Sequence, residues 1–116
     1  MNTFLVMIGG AVGAAARFHL GGALGRGAAF PWGTLVVNIV GGLLMGLLMA
    51  RDPGDGARLL IGVGLLGGFT TFSAFSLETV RLFEGGAAAL ALAYVAASVI
   101  GACVALWLGL ALGRAA

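Results

Sequence analysis

The stretch Gly67-Gly68-Phe69-Thr70-Thr71-Phe72-Ser73-Ala74-Phe75-Ser76 decides how this chain is read. It lies within the apolar segment 58–83, which is longer than a membrane crossing requires. Paired glycines followed by two β-branched threonines make a poor helix interior. The pattern predicts a membrane-spanning helix broken near its middle. Non-helical backbone at membrane depth is tolerated only where protein buries it or water lines it, so the break is itself a pointer to function.

Composition supports the membrane setting. Of 116 residues, 61% are hydrophobic and 9% charged, and the mean hydropathy is +1.15. Soluble domains carry about 25% charged residues. A bilayer core needs roughly 20 helical residues per crossing, so four spans use about 80 residues and leave about 36 for connections and ends. The expected spans are 3–24, 30–50, 58–83 and 87–112, within one transmembrane domain covering residues 1–116. The fold class is therefore an all-α membrane protein with four transmembrane helices per subunit, the third one broken. No stretch is left over for a soluble catalytic, receptor or nucleotide-binding domain, which argues against an enzyme. The opening Met1-Asn2-Thr3-Phe4 lacks the basic start of a secretory signal, so the first helix is expected to stay.

Punctuation along the chain fits those spans. Gly9 and Gly13 form a small-xxx-small pair that lets two helix backbones approach closely. The second span opens at Phe30-Pro31-Trp32-Gly33, where proline suits a first helical turn and tryptophan the headgroup interface. Arg51-Asp52-Pro53-Gly54-Asp55-Gly56 and Glu84-Gly85-Gly86 read as turns. The lone Cys103 cannot form an intramolecular disulfide, and in its apolar run it reads as a small hydrophobe packed against a helix.

Charge is sparse and evenly dealt. Six arginines, no lysine and four acids give a formal charge of +2. The arginines stand singly along the chain, unlike a nucleic-acid patch. Alternating spans put Arg51, Arg58 and Arg114 on one side and Arg17, Arg26 and Arg81 on the other, with Arg17 expected to snorkel from the end of the first helix. Basic residues normally mark the cytoplasmic side, so this balance permits insertion both ways up. An even number of spans puts both termini on one side. Two oppositely inserted copies then form an antiparallel dual-topology dimer, and an oligomer suits four thin helices that enclose little space alone.

The polar residues inside the spans are all neutral: Thr34 and Asn38, then Thr70, Thr71, Ser73 and Ser76, then Tyr94 and Ser98. Glu78 and Glu84 fall toward the end of the third span, near headgroups, with Glu78 paired to Arg81 or Arg17. Thr34 and Asn38 share a helix face at a spacing of four, as do Tyr94 and Ser98. Asn38 reads either as glue between helices or as a donor through its amide nitrogen, and Tyr94 with Ser98 either as packing or as a pathway. Phe69, Phe72 and Phe75 recur at helical spacing, as a packing stripe would. Beside hydroxyls and a backbone break, however, their electropositive ring edges suit a small dehydrated anion, held without a full charge that would trap it.

Three stretches together closely resemble the signature sequences of the CrcB/Fluc fluoride channels: Gly10-Ala11-Val12-Gly13-Ala14-Ala15-Ala16-Arg17, Gly33-Thr34-Leu35-Val36-Val37-Asn38-Ile39-Val40-Gly41, and the 67–76 stretch. The resemblance runs in order along essentially the whole chain. It implies a dual-topology homodimer in the cell (inner or plasma) membrane, with two antiparallel pores that export fluoride passively. By that resemblance Phe72 and Phe75 are the pore phenylalanines, and Asn38 turns its side-chain amide to the anion. Ser73, Tyr94 and Ser98, with Thr34 nearby, match a polar track, and Arg17 matches a vestibule arginine. Backbone carbonyls of Gly67 and Thr70 match the ligands of a central structural sodium ion (Na+). Ala74 departs from the family, where threonine is frequent, and removes one hydroxyl of the track.

Passive export agrees with the absence of a phosphate-binding motif and of an intramembrane acid in the middle of the spans. The alternative, a small four-helix drug/proton antiporter, calls for a glutamate in the first helix, and none lies between Thr3 and Leu24. A membrane scaffold is a third reading, and it gives no reason for the glycine-threonine break.

Overall fold

The computed structural model describes residues 1–116, and every regular element in it is helical. The helices are α1 (Asn2–Gly25), α2 (Trp32–Met49), α3 (55–69), α4 (Ser73–Glu84) and α5 (Ala88–Ala115). Four segments are long and apolar enough to cross a membrane: α1, α2, α5 and the combined stretch Asp55–Glu84.

Helix α3 is unusual in its winding. After one α-turn at Asp55–Ala57 it widens to a π-helix over Arg58–Leu66, then tightens again over Gly67–Phe69. Bonding from i to i+5 is rare and concentrates at functional sites. Thr70 then leaves the helix with extended backbone, φ −82° and ψ 157°, and helical geometry resumes at Ser73.

Packing follows the glycines. Helix α1 lies along α3, α2 lies along α5, and α4 rests on α5. Lipid tails are as apolar as leucine, so helices in a membrane are held by close contact rather than by escape from water. Here the contact is backbone on backbone. A Cβ at Gly13 would run into the Leu65 carbonyl oxygen, and one at Gly46 into the Leu106 carbonyl oxygen. At the end of α4 the chain reverses in a Schellman turn, with Gly86 in the left-handed region at φ 83° and the Ala87 amide donating to the Leu82 carbonyl (2.9 Å).

The result is a slab of 47 × 31 × 19 Å. Its thinnest dimension matches two helices of about 10 Å each, so one copy cannot wrap a lumen. Only 17 of 116 residues are buried, and Phe4, Met7, Phe18, Trp107 and Leu112 are among the large apolar side chains left exposed. Apolar side chains all round a helix are the mark of a lipid or helix-packing environment.

The seams supply a stability test. Gly46→Leu is expected to lower the thermal midpoint in detergent sharply, since overpacking a tight contact costs about 1–3 kcal/mol or more. Gly54→Ala, with open space around it, should leave the midpoint unchanged. Unfolding of Gly46→Leu at the wild-type temperature would mean that the α2–α5 seam is looser than described.

Candidate functional site

When the chain leaves α3 at Thr70, backbone groups lose their helical partners, and side chains from α1 and α2 replace them. The Leu66 carbonyl accepts both the Thr70 amide and the Thr70 hydroxyl, each at 3.0 Å. Asn38 on α2 clasps Thr71: Nδ2 donates to its carbonyl (2.9 Å) and Oδ1 accepts its amide (2.8 Å). Arg17 Nε donates to the Gly68 carbonyl (3.1 Å). Thr71 Oγ1 accepts the Ala74 amide (3.2 Å), tying down the first turn of α4, and Ser76 Oγ donates to the Phe72 carbonyl (2.9 Å). The carbonyls of Gly67 and Thr70 accept no hydrogen bond within the chain.

Two cavities flank this region. The larger, about 620 Å³, is walled by Asn38, Gly67, Thr70, Phe72, Phe75 and Ser98 among others. The smaller, about 430 Å³, has Thr34, Glu78 and Arg81 in its wall. Tyr94 touches both groups of residues and is fully buried. Its hydroxyl donates to Glu78 Oε1 (3.1 Å), and its ring packs on Phe75 with centroids 5.2 Å apart. Ring contacts continue on either side: Trp32 to Phe30 at 4.6 Å, Phe30 to Tyr94 at 5.4 Å, and Phe75 to Phe72 at 5.4 Å. Five aromatic rings therefore run from the start of α2 to the non-helical residues. Ser98 Oγ is buried with no partner. The larger cavity thus offers a carboxamide, hydroxyls and phenyl rings but no ionised group, which suits weak and reversible contact with a small anion.

The structure brings Asn38, Phe72, Phe75, Ser98, Gly67 and Thr70 together on one cavity. Thr34, although on the face of Asn38, opens on the other cavity. Ser73 lines neither; its hydroxyl pairs with Thr71 Oγ1 at 3.3 Å. Of the two readings of Asn38, the structure displays the structural one, and since Nδ2 carries two hydrogens one remains free of the clasp.

Three expectations need correction. Arg17 does not snorkel outward, because a carbonyl without a helical amide lies within reach of its guanidinium. Glu78 pairs with neither Arg81 nor Arg17; the Tyr94 hydroxyl takes its carboxylate, and the one ion pair in the chain is Arg58–Asp55 at 4.0 Å. Cys103 is exposed at the larger cavity rather than packed away. The residue that sequence reasoning undervalued is Thr71, whose amide, carbonyl and hydroxyl are all engaged. A threonine shortly before a helix start is the general sequence signal for such a role.

Fold and site together define an all-helical, multi-pass membrane protein. The model of the family described as CrcB-like protein, Camphor Resistance (CrcB), matches residues 4–110, and the chain belongs to that family. It is 56% identical over 122 residues to the fluoride-specific ion channel FluC of Sphingopyxis alaskensis, covering 98% of this chain and 97% of that one. To the fluoride-specific ion channel FluC of Chelativorans sp. it is 53% identical over 120 residues, covering 97% and 96%. To that of Novosphingobium aromaticivorans it is 51% identical over 120 residues, covering 97% and 95%.

The Asn38 clasp makes a measurable claim. Asn38→Ala strands the Thr71 amide and carbonyl, each costing about 1–3 kcal/mol if left unpaired, so the thermal midpoint in detergent should fall. Asn38→Asp keeps an acceptor for the amide and should fall less. Equal midpoints for all three proteins would show that the clasp contributes nothing.

Proposed function

We propose that this chain is a fluoride channel of the cell membrane that lets fluoride leave the cytoplasm passively. The observation that carries the reading is the convergence of Asn38, Phe72, Phe75 and Ser98 on one cavity in a chain about half identical, end to end, to proteins named as fluoride-specific channels. Hydrogen fluoride crosses a bilayer as the neutral acid and ionises in a less acidic cytoplasm. The anion is then trapped until a pore lets the negative interior drive it out. No proton or nucleotide coupling is required.

The working unit in this reading is an antiparallel homodimer in the lipid bilayer. Two features favour it: the slab shape of one copy and the even split of arginines between the two sides. Phe72 supports it too, since a phenyl ring 76% exposed at the mouth of a largely apolar cavity is suited to be covered by a second copy. Asn38, Ser98, Tyr94 and Thr34 then mark the path, with Phe72 and Phe75 as its ring edges and Ser73 beside its entry to α4. Thr34 and Asn38 are one helical turn apart, as are Tyr94 and Ser98, so the path passes Tyr94 between the two cavities. The non-helical residues 70–72 would lie at membrane depth, buried by the dimer.

A sodium ion fits the carbonyls of Gly67 and Thr70. Both oxygens lack a hydrogen bond, and neutral carbonyl oxygens are the ligands a hard cation prefers. No three His, Cys, Asp or Glu side chains converge elsewhere in the chain. When bound, the cation would supply a fixed positive charge that joins the two copies.

Fluoride efflux from liposomes holding the purified protein tests the reading, with chloride as the comparison ion. Fluoride should leave much faster than from empty vesicles, and Phe72→Ile should cut that flux sharply without dissociating the dimer. Efflux no faster than from empty vesicles would refute the channel. A C-terminal accessibility tag should be labelled from both sides of the membrane, and labelling from one side alone would refute dual insertion.

A further inference from the structure

Arg17 is the one cationic side chain that reaches the end of α3, and what it touches is backbone. We infer that Arg17 is a positioning residue: by holding the Gly68 carbonyl, its Nε–H determines which oxygens at the end of α3 stay free.

The end of a helix leaves its last carbonyls without amide partners. In α3 these include Gly67, Gly68 and Phe69, since the Thr71 amide goes to Asn38 and no amide beyond it returns to them. Helix α1 lies directly against this end. A Cβ on Gly68 would come 2.6 Å from the Gly10 carbonyl oxygen, and one on Gly13 would come 2.8 Å from the Phe69 nitrogen. Arg17 follows Gly13 by four residues and so projects from the same face of α1, one turn beyond the contact. From there Nε reaches the Gly68 oxygen at 3.1 Å. A cation at a helix C-terminus also offsets the partial negative charge of the free carbonyls. No carboxylate lies within 4.0 Å of the guanidinium, so an ion pair does not account for its placement.

The exit from α3 is thus pinned from both sides, at Gly68 by α1 through Arg17 and at Thr71 by α2 through Asn38. Between the pins the Phe69 and Thr70 oxygens are left without donors, as is the Gly67 oxygen just before the first pin. If Gly68 were released, the last turn of α3 would be free to fray, and the spacing of those oxygens would no longer be set. The consequence for a cation rests on the channel reading above; the pinning itself does not. Lysine cannot replace arginine here, because its ammonium is a compact, strongly hydrated point charge without a planar N–H partway along the stem.

Hydrogen exchange on the purified protein tests the pinning without any transport measurement. In both Arg17→Lys and Arg17→Gln, the Thr70 and Thr71 amides are expected to exchange at least about tenfold faster, with α5 unchanged. In the unmodified protein the Arg17 Nε–H should be protected from solvent exchange by NMR, a readout that survives even if a variant fails to fold. A freely exchanging Nε–H, or wild-type exchange at Thr70 and Thr71 in Arg17→Lys, overturns the proposal. A second arm titrates sodium during fluoride efflux. Both variants should need several-fold more sodium for half-maximal flux, and full rescue by lysine would mean that Arg17 acts through its charge and not through position. Efflux from the unmodified protein that ignores sodium overturns the cation reading alone, and the exchange arm then decides Arg17 by itself.

Discussion

A peptide group that leaves a helix inside an apolar surround cannot turn to water, and an unpaired amide or carbonyl there is costly. In this chain the Asn38 carboxamide meets that need at Thr71, accepting from the amide and donating to the carbonyl of one residue. Much of the site depends on this clasp. It lets α3 stop at Phe69 and α4 start at Ser73 without a long connection, and it brings Phe72 and Phe75 beside α2. Hydroxyls complete the arrangement locally, with Thr70, Thr71 and Ser76 each bonding to a neighbour within four residues.

The clasp works only because the helices come close enough. Backbone contacts at Gly13 and Gly46 draw α1 onto α3 and α2 onto α5, and each replaces side-chain bulk with an approach that only glycine allows. The same economy leaves the molecule thin, with 17 buried residues out of 116. A protein of this shape has little interior in which to build a closed passage. Several of its polar groups accordingly open on two cavities, while Tyr94 is, besides Val37, the one large side chain that is wholly buried.

Neutrality is the common feature of the larger cavity. Hydroxyls, a carboxamide and phenyl edges give an anion favourable but modest contacts, and conduction requires that binding be weak enough to release. The charged groups are kept to one side of this arrangement. Glu78 is held by Tyr94 at the smaller cavity, and Arg17 is committed to a backbone carbonyl. Under the proposed function, charge therefore shapes the site without occupying it.

By itself the amino-acid sequence determined the class of the molecule, because hydropathy and segment length depend only on which residues are adjacent. It also marked residues 67–76 as a weak place for a helix, from the glycine pair and the two threonines. The partners across the fold were decided by the tertiary structure. Asn38 and Thr71 are 33 positions apart, and Arg17 and Gly68 are 51 apart, so no local pattern joins them. Thr34 and Asn38 share a helical face yet open on different cavities. Glu78 looked toward an arginine and was taken by a tyrosine, whose buried hydroxyl comes from α5, 16 positions further along the chain. Spacing along a helix fixes which side chains point the same way, but which of them find a partner depends on how near the glycine contacts let the neighbouring backbone come.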